Sequence, residues 1–151
     1  MRRAVVAVGG LALVLVGGAL AASFKPGTYS VGFPSTKASG ITLTIHKGSF
    51  SVQAMSFHEH CASSGGSFND YFEFESGSSA QINGKVSSHG KFRGQWAFTG
   101  GADKVSGTVK GAKATIKGSE KSLYQPKSTS PVYTCTGSDT FHAKLLQTTG
   151  G

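Results

Sequence analysis

His58-Glu59-His60-Cys61 is the stretch of this sequence richest in groups that do chemistry. On an extended strand His58 and His60 point the same way and offer two imidazole nitrogens to a metal. A closed zinc site needs three or four ligands, and His46, His89, His142, Asp70 and Glu73 stand at no short, defined spacing from that pair. The simpler reading is a polar strand end beside a cysteine. Glu73 and Glu75 would share a strand face, where one carboxylate raises the pKa of the other as an acid and base pair requires. Glycosidase carboxylates come from opposite sides of a cleft, so neighbours on one strand point to no reaction by themselves. Ser88-His89-Gly90-Lys91 contains S-x-x-K without its companion motifs, and neither G-x-S-x-G nor a Walker loop occurs. No catalytic residue, no resident metal and no organic cofactor is expected.

Charge says more than motif. The chain has 151 residues, with 15 Lys and Arg against 7 Asp and Glu. Nine of the basic residues lie between Lys85 and Lys127, where only Asp103 and Glu120 oppose them. If Phe92, Trp96 and Phe98, Val105 and Val109, and Ala114 and Ile116 face inward, then Lys91, Arg93, Lys104, Lys110, Lys113 and Lys117 face outward on three successive antiparallel strands. Such a face gathers anions by long-range attraction; it also serves solubility and shields sheet edges. No outward aromatics interleave with these lysines, so a base-stacking nucleic-acid platform is not expected. Trp96 could stack on a sugar, but its alternation with Phe92 and Phe98 places it on the core side. Tyr71, Tyr124 and Tyr133 are the better candidates for exposed aromatics.

The N-terminus reads as an export signal. Met1-Arg2-Arg3 is a positive start, Ala4 to Val16 is an apolar run of 13 residues, and Ala19-Leu20-Ala21 is a small-x-small cleavage site. The competing reading, a permanent anchor, is disfavoured because the run to Leu20 contains four glycines and only 17 residues, where a spanning helix needs ~20. The expected organisation is a signal helix over 1–21 and one secreted domain over 22–151, free of the membrane after cleavage. Losing Arg2 and Arg3 leaves 13 basic and 7 acidic residues, a net charge of +6. Two cysteines, Cys61 and Cys135, enter an oxidising compartment with no third thiol, so they are expected to pair. A metal or redox role would call for C-x-x-C spacing, which is absent.

Alternation of apolar and polar residues recurs along the rest of the chain, as period-2 strands require. Tyr29, Val31 and Phe33 mark one strand and Ile41, Leu43 and Ile45 a second. After a Lys47-Gly48 turn come Phe50, Val52 and Ala54, with a phase change to Met55 and Phe57 that predicts a bulge. Phe72 and Phe74, Ile82 and Val86, and Phe92, Trp96 and Phe98 follow. Val105 and Val109, Ala114 and Ile116, and Phe141, Ala143 and Leu145 complete the set. Asn83-Gly84 resembles a hairpin turn, but turning there leaves only Lys85 to Ser87 before the next Gly turn, so it is placed inside a strand. The segments 62–69 and 119–131 read as surface loops. No helical periodicity appears outside the signal, and glycine, 22 of 151 residues, has no Gly-X-Y period. The predicted fold is all-β: an antiparallel meander of about 8–10 short strands closing into a β-sandwich or flattened barrel.

Lys25-Pro26-Gly27-Thr28-Tyr29-Ser30, Gly90-Lys91-Phe92, the ribbon Val105-Ser106-Gly107-Thr108-Val109-Lys110-Gly111 and Thr134-Cys135-Thr136-Gly137, together with the signal, give the chain a resemblance. It resembles small secreted, disulfide-linked β-rich proteins common in high-GC bacteria. That resemblance implies export, a disulfide and an all-β fold, and it carries no active site with it. The reading that follows is a secreted, monomeric, noncatalytic β-domain whose lysine face holds an anionic polysaccharide or other envelope polymer weakly. The alternative is a shallow hydrolase or metal-dependent enzyme near His58 and His60.

Overall fold

The computed structural model describes residues 24–32 and 38–148. The expected signal segment, 1–21, and Phe33 of the first expected strand lie outside the described residues.

Among the described residues alternation becomes nine strands: β1 (Gly27–Val31), β2 (Gly40–His46), β3 (Ser49–Ser63), β4 (Gly66–Glu75), β5 (Asn83–Lys85), β6 (Lys91–Phe98), β7 (Gly101–Lys110), β8 (Lys113–Tyr124) and β9 (Tyr133–Gln147). All pairings between them are antiparallel and form one sheet ordered β4-β3-β2-β1-β9-β8-β7-β6, with β5 on β3 and a second pairing between β3 and β9. The sheet closes on itself through β3. Its first half pairs with β2, and its second half leaves β2 and pairs directly with β9 through Glu59↔Gly137 and Cys61↔Cys135. On the other side β5 joins β3 to the start of β6, where Val86 bridges Phe92. The result is a flattened barrel with a single core, in which Tyr29, Leu43 and Phe57 meet Val105, Ile116 and Phe141.

Local chemistry explains the turns. Lys47 and Gly48 both have positive φ, 47° and 73°, as a two-residue type I′ hairpin requires. At Gly90 φ is 74°, and a Cβ there would strike the carbonyl of Val109, so glycine is required on both counts. The bulge falls at Gln53, between the pairs Thr42↔Ala54 and Leu43↔Val52, and it moves the inward set of β3 from Phe50 and Val52 to Met55, Phe57, Glu59 and Cys61. Asn83-Gly84 lies within β5, as the spacing to the next turn predicts.

The expected loop 62–69 is largely strand, and the expected loop 119–131 is strand over its first half. β3 and β4 form a hairpin that reaches Ser63↔Gly66, leaving only Ser64 and Gly65 to turn. β8 runs to Tyr124 and pairs with β9 as far as Tyr124↔Tyr133, so only 125–132 is left as loop. Backbone pairing supplies the hydrogen bonds these segments need, and it does not depend on apolar side chains. At this end of the barrel Phe68 packs edge-on against Tyr133 and Tyr124, with ring centroids 5.1 and 6.3 Å away.

Candidate functional site

The outer face of β6, β7 and β8 carries all six expected basic residues. Lys91, Arg93, Lys104, Lys110, Lys113 and Lys117 are exposed, on the side opposite Phe92, Val105 and Ile116. Register places Arg93, Ser106 and Lys117 side by side, with Gln95, Lys104 and Ser119 in the adjacent row. A groove of about 570 Å³ is lined by Arg93, Lys104 and Lys117 over a floor that includes Gly94. A second groove, about 630 Å³, shares Arg93 and Ser106 with it and adds Lys85 and Lys91. Lys110 and Lys113 lie opposite each other at the far end of the β7–β8 hairpin and line neither groove. The two acids of this region, Asp103 and Glu120, point to the other side of the sheet, 1% and 5% exposed. This outer face therefore has no carboxylate to offset its field.

His58 and His60 both project outward from β3 and are exposed. His58 stacks on Tyr71 with centroids 4.0 Å apart, and the Nδ1 of His60 donates to Asn69 Oδ1 at 2.8 Å. Among the described residues, the one group of three ligating side chains within reach of a single ion is Glu59, Cys61 and Cys135, which includes neither histidine. Its sulfurs belong to a disulfide between Cys61 and Cys135, S–S 2.00 Å, the pairing expected from the cysteine count. Glu73 and Glu75 are exposed on β4, and Ser88-His89 forms the exposed turn before β6. Trp96 is half-buried on the inward face, against Phe98 at 4.7 Å and Phe74 at 6.0 Å.

The most unusual chemistry lies inside the barrel. Asp70↔Glu59↔Gly137↔Glu120↔Asp103↔Trp96 is one continuous register row across β4, β3, β9, β8, β7 and β6. Asp103 and Glu120 face each other on adjacent strands, an arrangement that is destabilising when both are charged. Glu59 reaches Glu120 across Gly137, which interposes no side chain, and the two carboxyls hydrogen-bond. Burial, then the Glu120 charge and that hydrogen bond, then the Asp70 charge, push Glu59 up to about 7. Burial pushes Asp103 up to about 7 as well, with the Glu59 charge adding to it. Glu120 is also raised by burial, although hydrogen bonds from the Ser122 hydroxyl and from Glu59 pull the other way. Every described Lys, Arg and His is exposed, so no basic side chain shares the interior with these acids.

Sequence reasoning missed this row, although a signal was present. Glu59 stands in phase with Phe57 and Cys61, Asp103 with Val105, and Glu120 with Ile116 and Gly118. An acid on the apolar parity of a strand is anomalous. No family model, no curated protein and no solved structure matches this chain.

Proposed function

We propose that this is an exported, monomeric, noncatalytic β-barrel whose outer β6–β8 face holds anionic polysaccharide or a similar envelope polymer by charge. The observation that carries the reading is the groove bordered by Arg93, Lys104 and Lys117 on a face whose only acids, Asp103 and Glu120, are turned into the core. Extended, shallow and lined by flexible cations, such a groove suits a repeating polyanion rather than one small ligand. The Cys61–Cys135 disulfide fits an oxidising destination, and the signal-like N-terminus fits export. Among the described residues, His58 and His60 belong to no group of three ligating side chains within reach of one ion, which favours the noncatalytic reading over the hydrolase or metal-dependent alternative.

Binding to dextran sulfate and to polygalacturonate, with neutral dextran as reference, tests this. Retention should fall steeply with salt as the Debye length shrinks from ~10 Å at 0.1 M to ~3 Å at 1 M. The triple variant Arg93→Gln, Lys104→Gln, Lys117→Gln should lose on the order of tenfold in affinity with its melting temperature kept, since exposed charges contribute little to folding. Lys25→Gln, Lys47→Gln, Lys127→Gln removes the same charge from exposed positions outside the groove. Equal loss from that variant would refute the groove and leave only net charge.

A further inference from the structure

We propose that the outer β6–β8 face is a track for a flexible polyol phosphodiester, a poly(glycerol phosphate) chain held one phosphate per register row. The inference rests on the polymer-binding reading above and narrows it to one chemistry. The track is longer than the two grooves already described. A third groove, about 400 Å³, shares Lys104 and Ser119 with the first and continues past Lys121 to Leu123 and the Gly100-Gly101 turn. The three join end to end, from Lys85 and Lys91 through Arg93 and Lys104 to Lys121. Register divides that path into four rows: Lys91↔Thr108, Arg93↔Ser106↔Lys117, Gln95↔Lys104↔Ser119 and Ala97↔Ala102↔Lys121. Every row carries a cation, and each of the first three sets a hydroxyl beside it.

The pitch of the rows selects the polymer. Residues facing one way along a strand are two positions apart, about 6.8 Å, so the backbone fixes where each cation is rooted however its side chain moves. An extended peptide covers about 7 Å in six backbone bonds, and a glycerol phosphate repeat also has six backbone bonds from one phosphorus to the next. Successive phosphates of the extended chain therefore fall at the pitch of successive rows. The chemistry within a row agrees. Arg93, the only arginine after Arg3, stands in line with the Ser106 hydroxyl and Lys117. A guanidinium takes phosphate through two parallel hydrogen bonds, and the hydroxyls suit the polyol between phosphates. Single-stranded nucleic acid shares the six-bond backbone, but its bases call for aromatic platforms, and no aromatic side chain stands at the outward positions of β6, β7 or β8.

Calorimetric titration of the whole protein with glycerol phosphate oligomers of two, four and six repeats tests the proposal. Affinity at 0.1 M salt should climb at least about tenfold from two repeats to four and level off by six, because four rows are available. Its logarithm should fall with the logarithm of salt at a slope of about −3, roughly 0.7 for each of four phosphates. A ribitol phosphate oligomer with four phosphates, whose repeat has eight backbone bonds, should bind at least about fivefold more weakly, as should polygalacturonate of equal charge. Lys91→Gln with Lys121→Gln removes the cations of the two end rows, both exposed. That variant should lose about tenfold for four repeats and less than about twofold for two, with its melting temperature kept. Equal affinity for the glycerol and ribitol oligomers, or polygalacturonate binding as tightly, would overturn the phosphate register and leave a groove that reads charge alone. Tighter binding of polyuridylate would overturn it in favour of nucleic acid. Failure of every polyanion to bind would overturn both this inference and the reading it rests on.

Discussion

Stability should fall as pH rises through neutrality, against the usual behaviour of carboxylates held by salt bridges. Asp103 shows why. Its carboxyl goes from an ordinary 3.8 in the unfolded chain to about 7 in the barrel, chiefly through burial. Between those values the folded state keeps a proton that the unfolded state has released, so unfolding releases protons and stability declines as pH increases. The contribution is fully present below about pH 4 and is lost progressively up to about pH 7 and beyond. About three pKa units at ~1.4 kcal/mol each make this ~4 kcal/mol for Asp103 alone, an upper figure because its neighbours titrate with it. Glu59, raised to about 7 from 4.5, acts in the same direction. Urea unfolding at pH 5, 6, 7 and 8.5 reads the effect directly. The natural protein should lose on the order of 3 kcal/mol or more across that range, while Asp103→Asn, which cannot ionise, should lose distinctly less and exceed the natural protein at pH 8.5. A stability that is flat or rises between pH 5 and 8.5, or an Asp103→Asn profile parallel to the natural one, would refute the reasoning.

Removing the disulfide by Cys61→Ala with Cys135→Ala, which frees a separation of 74 residues, should cost about 4 kcal/mol, measured by the same unfolding. Ile116→Ala, at 0% exposure in the centre of the core, should cost about 2–5 kcal/mol with an unchanged strand signature by circular dichroism. Gly90→Ala should destabilise by more than ~1 kcal/mol, because positive φ and the Val109 carbonyl both oppose a side chain there; a neutral result would mean the β6 turn rearranges freely. Lys110→Gln with Lys113→Gln should weaken polyanion binding less than Arg93→Gln with Lys117→Gln, since the first pair lies outside both grooves.

The separation of charge bears on the polymer-binding proposal. Of the seven acids, Glu59, Asp103 and Glu120 occupy inward positions of the barrel row, and Asp139 is half-buried on β9. When the three row acids are proton-bound they cancel little of the outer lysine field, so the groove meets a polymer with more positive charge than the formal balance suggests. Ionisation of the row at high pH would weaken polymer binding as well as the fold.

Strand content, inward faces and the disulfide pairing were legible in the sequence because each depends on local facts. Side chains alternate with period two on any strand, so Val105 with Val109 and Ala114 with Ile116 declare a face whatever lies beside them. The lysines between them are thereby turned outward, and with two cysteines only one pairing is available. The extent of β8 and β9 was not legible: Ser119 to Tyr124 has few apolar residues and becomes strand only because β9 lies alongside to accept its hydrogen bonds. Nor was the acidic row. Parity alone marks Glu59, Asp103 and Glu120 as inward, but it does not say which inward residues meet. That is settled when β9 comes to lie between β3 and β8 and Gly137 falls opposite both glutamates. Residues 44 and 61 positions from Glu59 become its neighbours through non-local register, the one property of a sheet that no window of its sequence contains.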